Sequence, residues 1–297
     1  MELKAGRVVP IVIVILLALL GATLSGCSLT ATTTTSSEST TTTVEGQQTP
    51  ADQAIAAITK STAITTPQTI KSGSLLAGSD AAFPPLVFAR KNGSYQGFDV
   101  DLCTAVAKKL GLQLEVVAVN YRDLVSGLTD DNLYDIVMAA LVVTSELQAQ
   151  MAFTTPHLPA VLAITTPTNT PITDGTGLSG KAVGVQKGTL AAVEVAKISG
   201  VQVKQYDRIL GAFDDMAEGK LNAVVIERLV SDYILKSYED YKATLSITGS
   251  IDLGTGYAFG LKKENAALLT AIDAAIAELR TDGVYQLICD KWGITGN

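Results

Sequence analysis

Few residues in this 297-residue chain have types and spacings that could do chemistry. The one histidine, His157, cannot build a multi-histidine metal site, and no CxxC pair offers zinc ligands. With a single histidine and no serine inside a GxSxG, nucleophilic triads are excluded. There is no GxxxxGK[ST] loop to cradle phosphates. No metal or other cofactor is implied. A carboxylate and a helix start carry charge-binding chemistry. Glu227 follows the strand read at 221–226, and a carboxylate just after a buried strand needs a cationic partner. That partner comes either from a bound solute or from the protein, where Arg228 is adjacent. Gly188 and Thr189 open a helical pattern whose free amides can hold an anionic group.

The composition bounds the partners. Apolar residues make up 47% of the chain, charged residues 17%, and the net charge is −7. This is far from the basic balance a phosphate-binding surface needs, so a nucleic-acid partner is disfavoured. Three cysteines do not make a disulfide scaffold. The first 26 residues read as an export signal: Lys4 and Arg7, then an uncharged apolar stretch from Val8 to Leu20, too short for a comfortable membrane span. Leu24-Ser25-Gly26-Cys27 resembles the lipobox of bacterial lipoproteins, which implies lipidation of Cys27 and anchoring to the outer face of a membrane. From Ser28 to Pro50, 14 of 23 residues are Ser or Thr. So little apolar surface cannot offset chain entropy, so 27–70 is expected to be a disordered tether. Within it, residues 51–60 read as a short helix or as more linker.

The positioning elements follow. From about Lys71 the pattern alternates strand and helix, restarts at Lys181, and closes with a helix from about Asn265 whose stripe is Leu268, Leu269, Ile272, Ile276 and Leu279. Such alternation predicts parallel sheets covered by helices, an α/β class, and two runs of it suggest two lobes.

Several segments in order resemble the bacterial extracellular solute-binding proteins of family 3, the amino-acid-binding components of ABC importers. They include Gly78-Ser79-Asp80 with Phe83-Pro84-Pro85, Gly97-Phe98-Asp99-Val100-Asp101, Tyr134-Asp135-Ile136-Val137-Met138, Lys187-Gly188-Thr189, Gly219-Lys220-Leu221-Asn222-Ala223, and Lys291-Trp292-Gly293. The resemblance implies a two-lobed type II periplasmic-binding-protein-like fold with two crossover hinge strands. Lobe 1 would take 71–160 plus 254–297, and lobe 2 161–253. A small-molecule ligand would lie in the cleft between them, to be delivered to an ABC permease with a separate ATPase. A monomer outside the cytoplasm is expected, and no enzymatic activity.

Carried over by position, Asp80, Phe83 and Tyr121 stand where lobe 1 meets ligand, and the two rings could sandwich a flat or cationic group. Gly188, Thr189 and Glu227 stand on the lobe 2 side. The departure lies after the strand near Tyr134. There the family carries hydroxyl side chains and an Arg that grips the ligand α-carboxylate with two hydrogen bonds. Here the wall is Ala139, Ala140 and Val142; Thr144 is kept, and the Arg position is Leu147. Three readings follow: a receptor for an amine-like solute lacking that carboxylate, an amino-acid receptor whose ligand carboxylate is held by the Gly188 amide and a relocated cation such as Arg122, Lys187 or Arg228, or a sensor or interaction lipoprotein that has lost the ligand. A dehydratase of cyclic acids, known for this fold, needs a carboxylate grip that is missing. His157 either lines the cleft or packs at the hinge. Cys103 and Cys289 would both belong to lobe 1, and a disulfide between them stays open.

Overall fold

The computed structural model describes residues 48–294. The export signal, Cys27 and most of the Ser/Thr-rich stretch lie outside the described residues. The strands are β1 (Ser74–Ser79), β2 (Ala82–Phe83), β3 (Val87–Ala89), β4 (Tyr95–Gln96), β5 (Gln113–Ala118), β6 (Ile136–Val137), β7 (Ala152–Phe153), β8 (Leu158–Pro167), β9 (Ala182–Gln186), β10 (Gln202–Tyr206), β11 (Ala223–Glu227), β12 (Leu245–Tyr257) and β13 (Gly260–Leu261). The helices are α1 (Pro50–Ala57), α2 (Phe98–Lys109), α3 (Leu124–Thr129), α4 (Ser145–Gln148), α5 (Leu190–Ala196), α6 (Leu210–Ala217), α7 (Arg228–Ser237), α8 (Glu239–Thr244), α9 (Ala266–Thr281) and α10 (Val284–Trp292).

Two five-stranded sheets organise the chain. The lobe 1 sheet runs β5-β1-β6-β13-β7, and the lobe 2 sheet runs β10-β9-β11-β8-β12. β1 is parallel to β5 and β6, and β9 is parallel to β10 and β11. β1 is buried along its whole length, as a central parallel strand must be, and its sequence (Ser-Leu-Leu-Ala-Gly-Ser) does not alternate. Gly78 is needed there, because a Cβ would stand 2.5 Å from the ring of Tyr134. One face of this sheet packs on α2, α9 and α10 through Leu102, Val106, Leu110, Leu268, Ile272, Leu279 and Ile288. The other carries Leu124, Leu128 and Tyr134. The lobe 2 sheet is likewise covered on both faces, by Val195 and Leu178 on one and by Phe213 and Met216 on the other.

The lobes are joined by β8 and β12, which pair antiparallel from Leu158 against Tyr257 to Pro167 against Leu245. β12 is one strand of 13 residues, from Leu245 to Tyr257. Glycine and polar residues hide it. Gly249 is required by contact, since a Cβ there would lie 2.4 Å from the backbone of Thr173. The register also shifts between Ile247 and Gly249 and between Asp252 and Gly256. A small antiparallel sheet, β2-β3-β4, was also not foreseen, because two of its strands have two residues each.

Packed structure starts earlier than Lys71. α1 carries a capping box between Thr49 and Asp52 and has Pro50 at its first turn. Ala51, Ile55 and Ile64 are buried in the lobe 1 core. Lys291 bonds Asp52 at 2.6 Å and Asp101 at 2.8 Å. Downstream, Ser61 reaches Glu278, Thr66 reaches the Leu110 carbonyl, and the Ile70 amide donates to Asp135 at 2.8 Å. Residues 48–70 are therefore a strap on lobe 1, held by a few apolar anchors that the polar composition masks.

Cys103 and Cys289 are buried thiols with no disulfide between them. Burial, and then the charge of Asp99, push the Cys103 thiol up, so it stays protonated and inert. His157 is buried at the foot of β8, with Nε2 3.2 Å from Asp99 and its ring against Phe98 and Phe259. Its carbonyl accepts from Arg280 and from the Tyr285 hydroxyl. It packs at the hinge and is not among the residues of the cleft.

Candidate functional site

A cleft of about 590 Å³ opens between the two sheets. Its walls come from the carboxyl ends of parallel strands, where open α/β sheets present their loops. Asp80 follows β1, Tyr121 follows β5 and Ala139 follows β6 in lobe 1. Gly188 follows β9, Arg208 follows β10 and Glu227 ends β11 in lobe 2. The ten positions singled out in the sequence, from Asp80, Phe83 and Tyr121 through Ala139, Ala140, Val142 and Leu147 to Gly188, Thr189 and Glu227, all border this cleft.

The lobe 1 wall is apolar and fixed. Residues 141–143 are zipped to the end of β12: the Ala258 amide donates to Leu141, the Val143 amide donates to Gly256, and Val142 bridges Tyr257. Thr144 is occupied as the N-cap of α4, accepting from the Leu147 amide at 3.3 Å. Ala81 (φ 46°) and Ala140 (φ 51°) both hold left-handed backbone in the loops that carry Asp80 and this wall. Each such residue costs on the order of 1 kcal/mol, and strain of this kind gathers where loop shape serves a ligand. On lobe 2, Gly188 turns at φ +77°, and the Thr189 hydroxyl caps α5 through the Ala192 amide.

Glu227 is the anomaly of the site. It is 6% exposed, and its Oε2 has no hydrogen-bond partner among the described residues. Burial raises its pKa above the usual glutamate value, with its own backbone amide acting in the opposite direction. Burial likewise raises Asp80, against the backbone amides of Asp80 and Ala82. The Tyr121 hydroxyl is raised by desolvation first, then by the charges of Asp80 and Glu227, so these three groups share one field. The buried hydroxyl of Tyr257 also lacks a partner among the described residues and is pushed well up, by burial and then by Glu227 and Asp99.

The three cations offered by the sequence lie beside carboxylates outside this cleft. Arg122 lies 3.7 Å from Asp123, Lys187 3.9 Å from Asp207, and Arg228 2.9 Å from Asp232, and none of the three lines it. Arg208 does line it, and has no hydrogen bond or ion pair of its side chain among the described residues. Tyr233 and Tyr238 also border the cleft, and Tyr233 crosses to Phe88 of lobe 1 with ring centroids 6.3 Å apart. Sequence reasoning missed all three. The available signal for Arg208 was its place between the strand ending at Tyr206 and the next helix. Among the described residues no cluster of His, Cys, Asp and Glu could hold a metal, and no helix is long and apolar enough to cross a membrane.

Residues 75–295 match the model of bacterial extracellular solute-binding proteins, family 3. The chain is similar to the L-cystine-binding protein of Escherichia coli (strain K12), 29% identical over 223 residues, covering 74% of this chain and 82% of that one. It is similar in structure to an ancestral arginine-binding protein bound to arginine, 34% identical, with TM-score 0.62, covering 74% of this chain and 98% of that one. A third likeness, 26% identical with TM-score 0.62 over 74% of this chain and 95% of the other, is to the ancestral amino acid-binding protein AncCDT-1, a precursor of cyclohexadienyl dehydratase. A cleft between two α/β lobes, walled by strand ends and carrying an unpartnered carboxylate, agrees with these likenesses in assigning a solute-binding role, and the chain belongs to the bacterial extracellular solute-binding proteins of family 3.

Proposed function

We propose that this protein captures a small solute with a protonated nitrogen, an amino acid or an amine-like compound, between its lobes and delivers it to an ABC permease driven by a separate ATPase. Glu227 carries this reading: a buried carboxylate oxygen without a protein partner, bordering the cleft, is stabilised when a cationic nitrogen docks on it. Phe83 and Tyr121 supply faces for the same charge. The paired strands β8 and β12 are the hinge about which the lobes close, which removes water and strengthens the charge pairing. The lipobox-like Leu24-Ser25-Gly26-Cys27 supports a lipid anchor that keeps the receptor at the outer membrane face.

The test is a thermal-shift screen of the protein, refolded to strip carried-over solute, against amino acids and amines. A true ligand at one hundred times its Kd adds about 2.7 kcal/mol, a shift of about 5–10 °C for a domain of this size. The same ligand at the same concentration should give a smaller shift with Glu227→Gln, about 1–5 °C. No shift with any compound in wild-type protein would overturn the reading.

A further inference from the structure

We propose that Arg208 is the carboxylate grip of this receptor, so that lobe 2 alone holds both ends of a zwitterionic solute. The inference rests on the solute-capturing reading above and names the residue that selects the solute's class. In lobe 1 the wall that would meet a carboxylate is Ala139, Ala140, Val142 and Leu147, which offers no charge, and the Thr144 hydroxyl beside them is engaged in capping α4. In lobe 2 the strand order β10-β9-β11 sets three cleft residues in a row at adjacent strand ends: Arg208 after β10, Gln186 at the end of β9, and Glu227 at the end of β11. The row runs cation, amide, anion. Its outer strands are two spacings apart, roughly 10 Å at the backbone, a gap that the long Arg208 side chain narrows. Gln186 lies between them, with its Nε2 3.4 Å from the Asp207 carbonyl. That leaves its side-chain oxygen for a solute donor.

The charges inside lobe 2 agree with this row. Arg208 is exposed on the cleft and is not tied to a carboxylate, whereas neighbouring Asp207 faces Lys187. Glu227 lacks a partner at Oε2. Each is the complement of one end of a zwitterion, and a guanidinium takes a carboxylate with two parallel hydrogen bonds. A solute with an ammonium and no carboxylate satisfies Glu227 and leaves Arg208 unused. A zwitterion satisfies both. Lobe 1 then closes its apolar wall, Phe83 and Tyr121 over the remainder of the solute.

The experiment is calorimetric titration of wild type, Arg208→Ala and Arg208→Lys with matched pairs: arginine and agmatine, histidine and histamine, tyrosine and tyramine. Arg208 is exposed, so both variants should melt as wild type does. Wild type should favour the amino acid of a bound pair by about tenfold or more, the worth of one charged hydrogen-bonded contact. Arg208→Ala should remove that preference and leave amine affinity unchanged, and Arg208→Lys should restore part of it. A preference that survives in Arg208→Ala overturns the proposal and places the carboxylate elsewhere. Wild type that binds the amine as well as the amino acid overturns the zwitterion class but leaves the solute-capturing reading standing. Wild type that binds none of the six, and none of the amino acids and amines in the thermal-shift screen, overturns both.

Discussion

Glu227→Gln should make the ligand-free protein more stable while weakening capture. The wild-type carboxylate is 6% exposed and lacks a partner on one oxygen, so the folded state bears the cost of its charge and the unfolded state does not. Leaving a buried polar group unsatisfied costs about 1–3 kcal/mol, more when charged, and the amide retains part of that cost. A net gain of about 1 kcal/mol for the variant corresponds to about 2–4 °C in Tm for a domain of this size. The sign with pH follows from the raised pKa. Below the ordinary glutamate value of 4.5 the side chain is neutral in both states, and wild type and variant should melt together. As pH rises above 4.5 the unfolded chain ionises first, wild type loses stability, and the gap opens until the folded pKa is passed. In the liganded protein the order reverses: loss of the charged contact should weaken binding of a cationic solute by about tenfold to hundredfold. Scanning calorimetry of stripped protein across this pH range reads the first effect and titration the second. A variant that melts at or below wild type at neutral pH, or a gap that does not change with pH, would refute the assignment of Glu227 as an uncompensated charge.

Three further outcomes are expected. Leu147→Arg gives the lobe 1 wall a guanidinium and should raise affinity for carboxylate-bearing solutes by about tenfold in calorimetric titration. No gain would show that position 147 does not face the solute. Gly97→Ala should destabilise by at least about 2–3 kcal/mol in urea unfolding, because φ is +135° and a Cβ would meet the Leu86 carbonyl oxygen at 2.1 Å. A wild-type midpoint would contradict the close approach. Lys291→Met removes the cation shared by Asp52 and Asp101 and should speed amide exchange in residues 50–57 by about tenfold, leaving lobe 2 unchanged. Unchanged exchange would show that Ala51 and Ile55 alone hold α1.

What the sequence revealed and what it hid follow a physical division. Asp80, Tyr121, Gly188 and Glu227 were legible because the motifs that resemble the family sit beside them, so position alone carried them over without the sheet order. Arg208 was not, because Tyr206-Asp207-Arg208 reads locally as a solvated turn. Its meaning depends on β9 lying between β10 and β11, a property of topology and not of any window of residues. The strap at 48–70 was half hidden for a similar reason. Thr49, Pro50 and Asp52 announce a helix start, but its anchorage depends on Lys291, 239 residues away. β12 was hidden by Gly249 and Gly256, which look like turns and are instead close approaches to a neighbouring backbone.

The strap and the paired crossover strands together decide which part of the molecule bears mechanical load. Both ends of the described chain, at residues 48 and 294, belong to lobe 1, and lobe 2 leaves and re-enters it through strands hydrogen-bonded to each other. Lobe 2 is thus an inserted loop of chain with no free end. A pull along the N-terminal segment is taken up by α1 and its seat on α10 and does not reach the cleft. Lobe 2, with Arg208, Gln186 and Glu227 aboard, is therefore a cassette that could be exchanged as a unit at the two crossover strands.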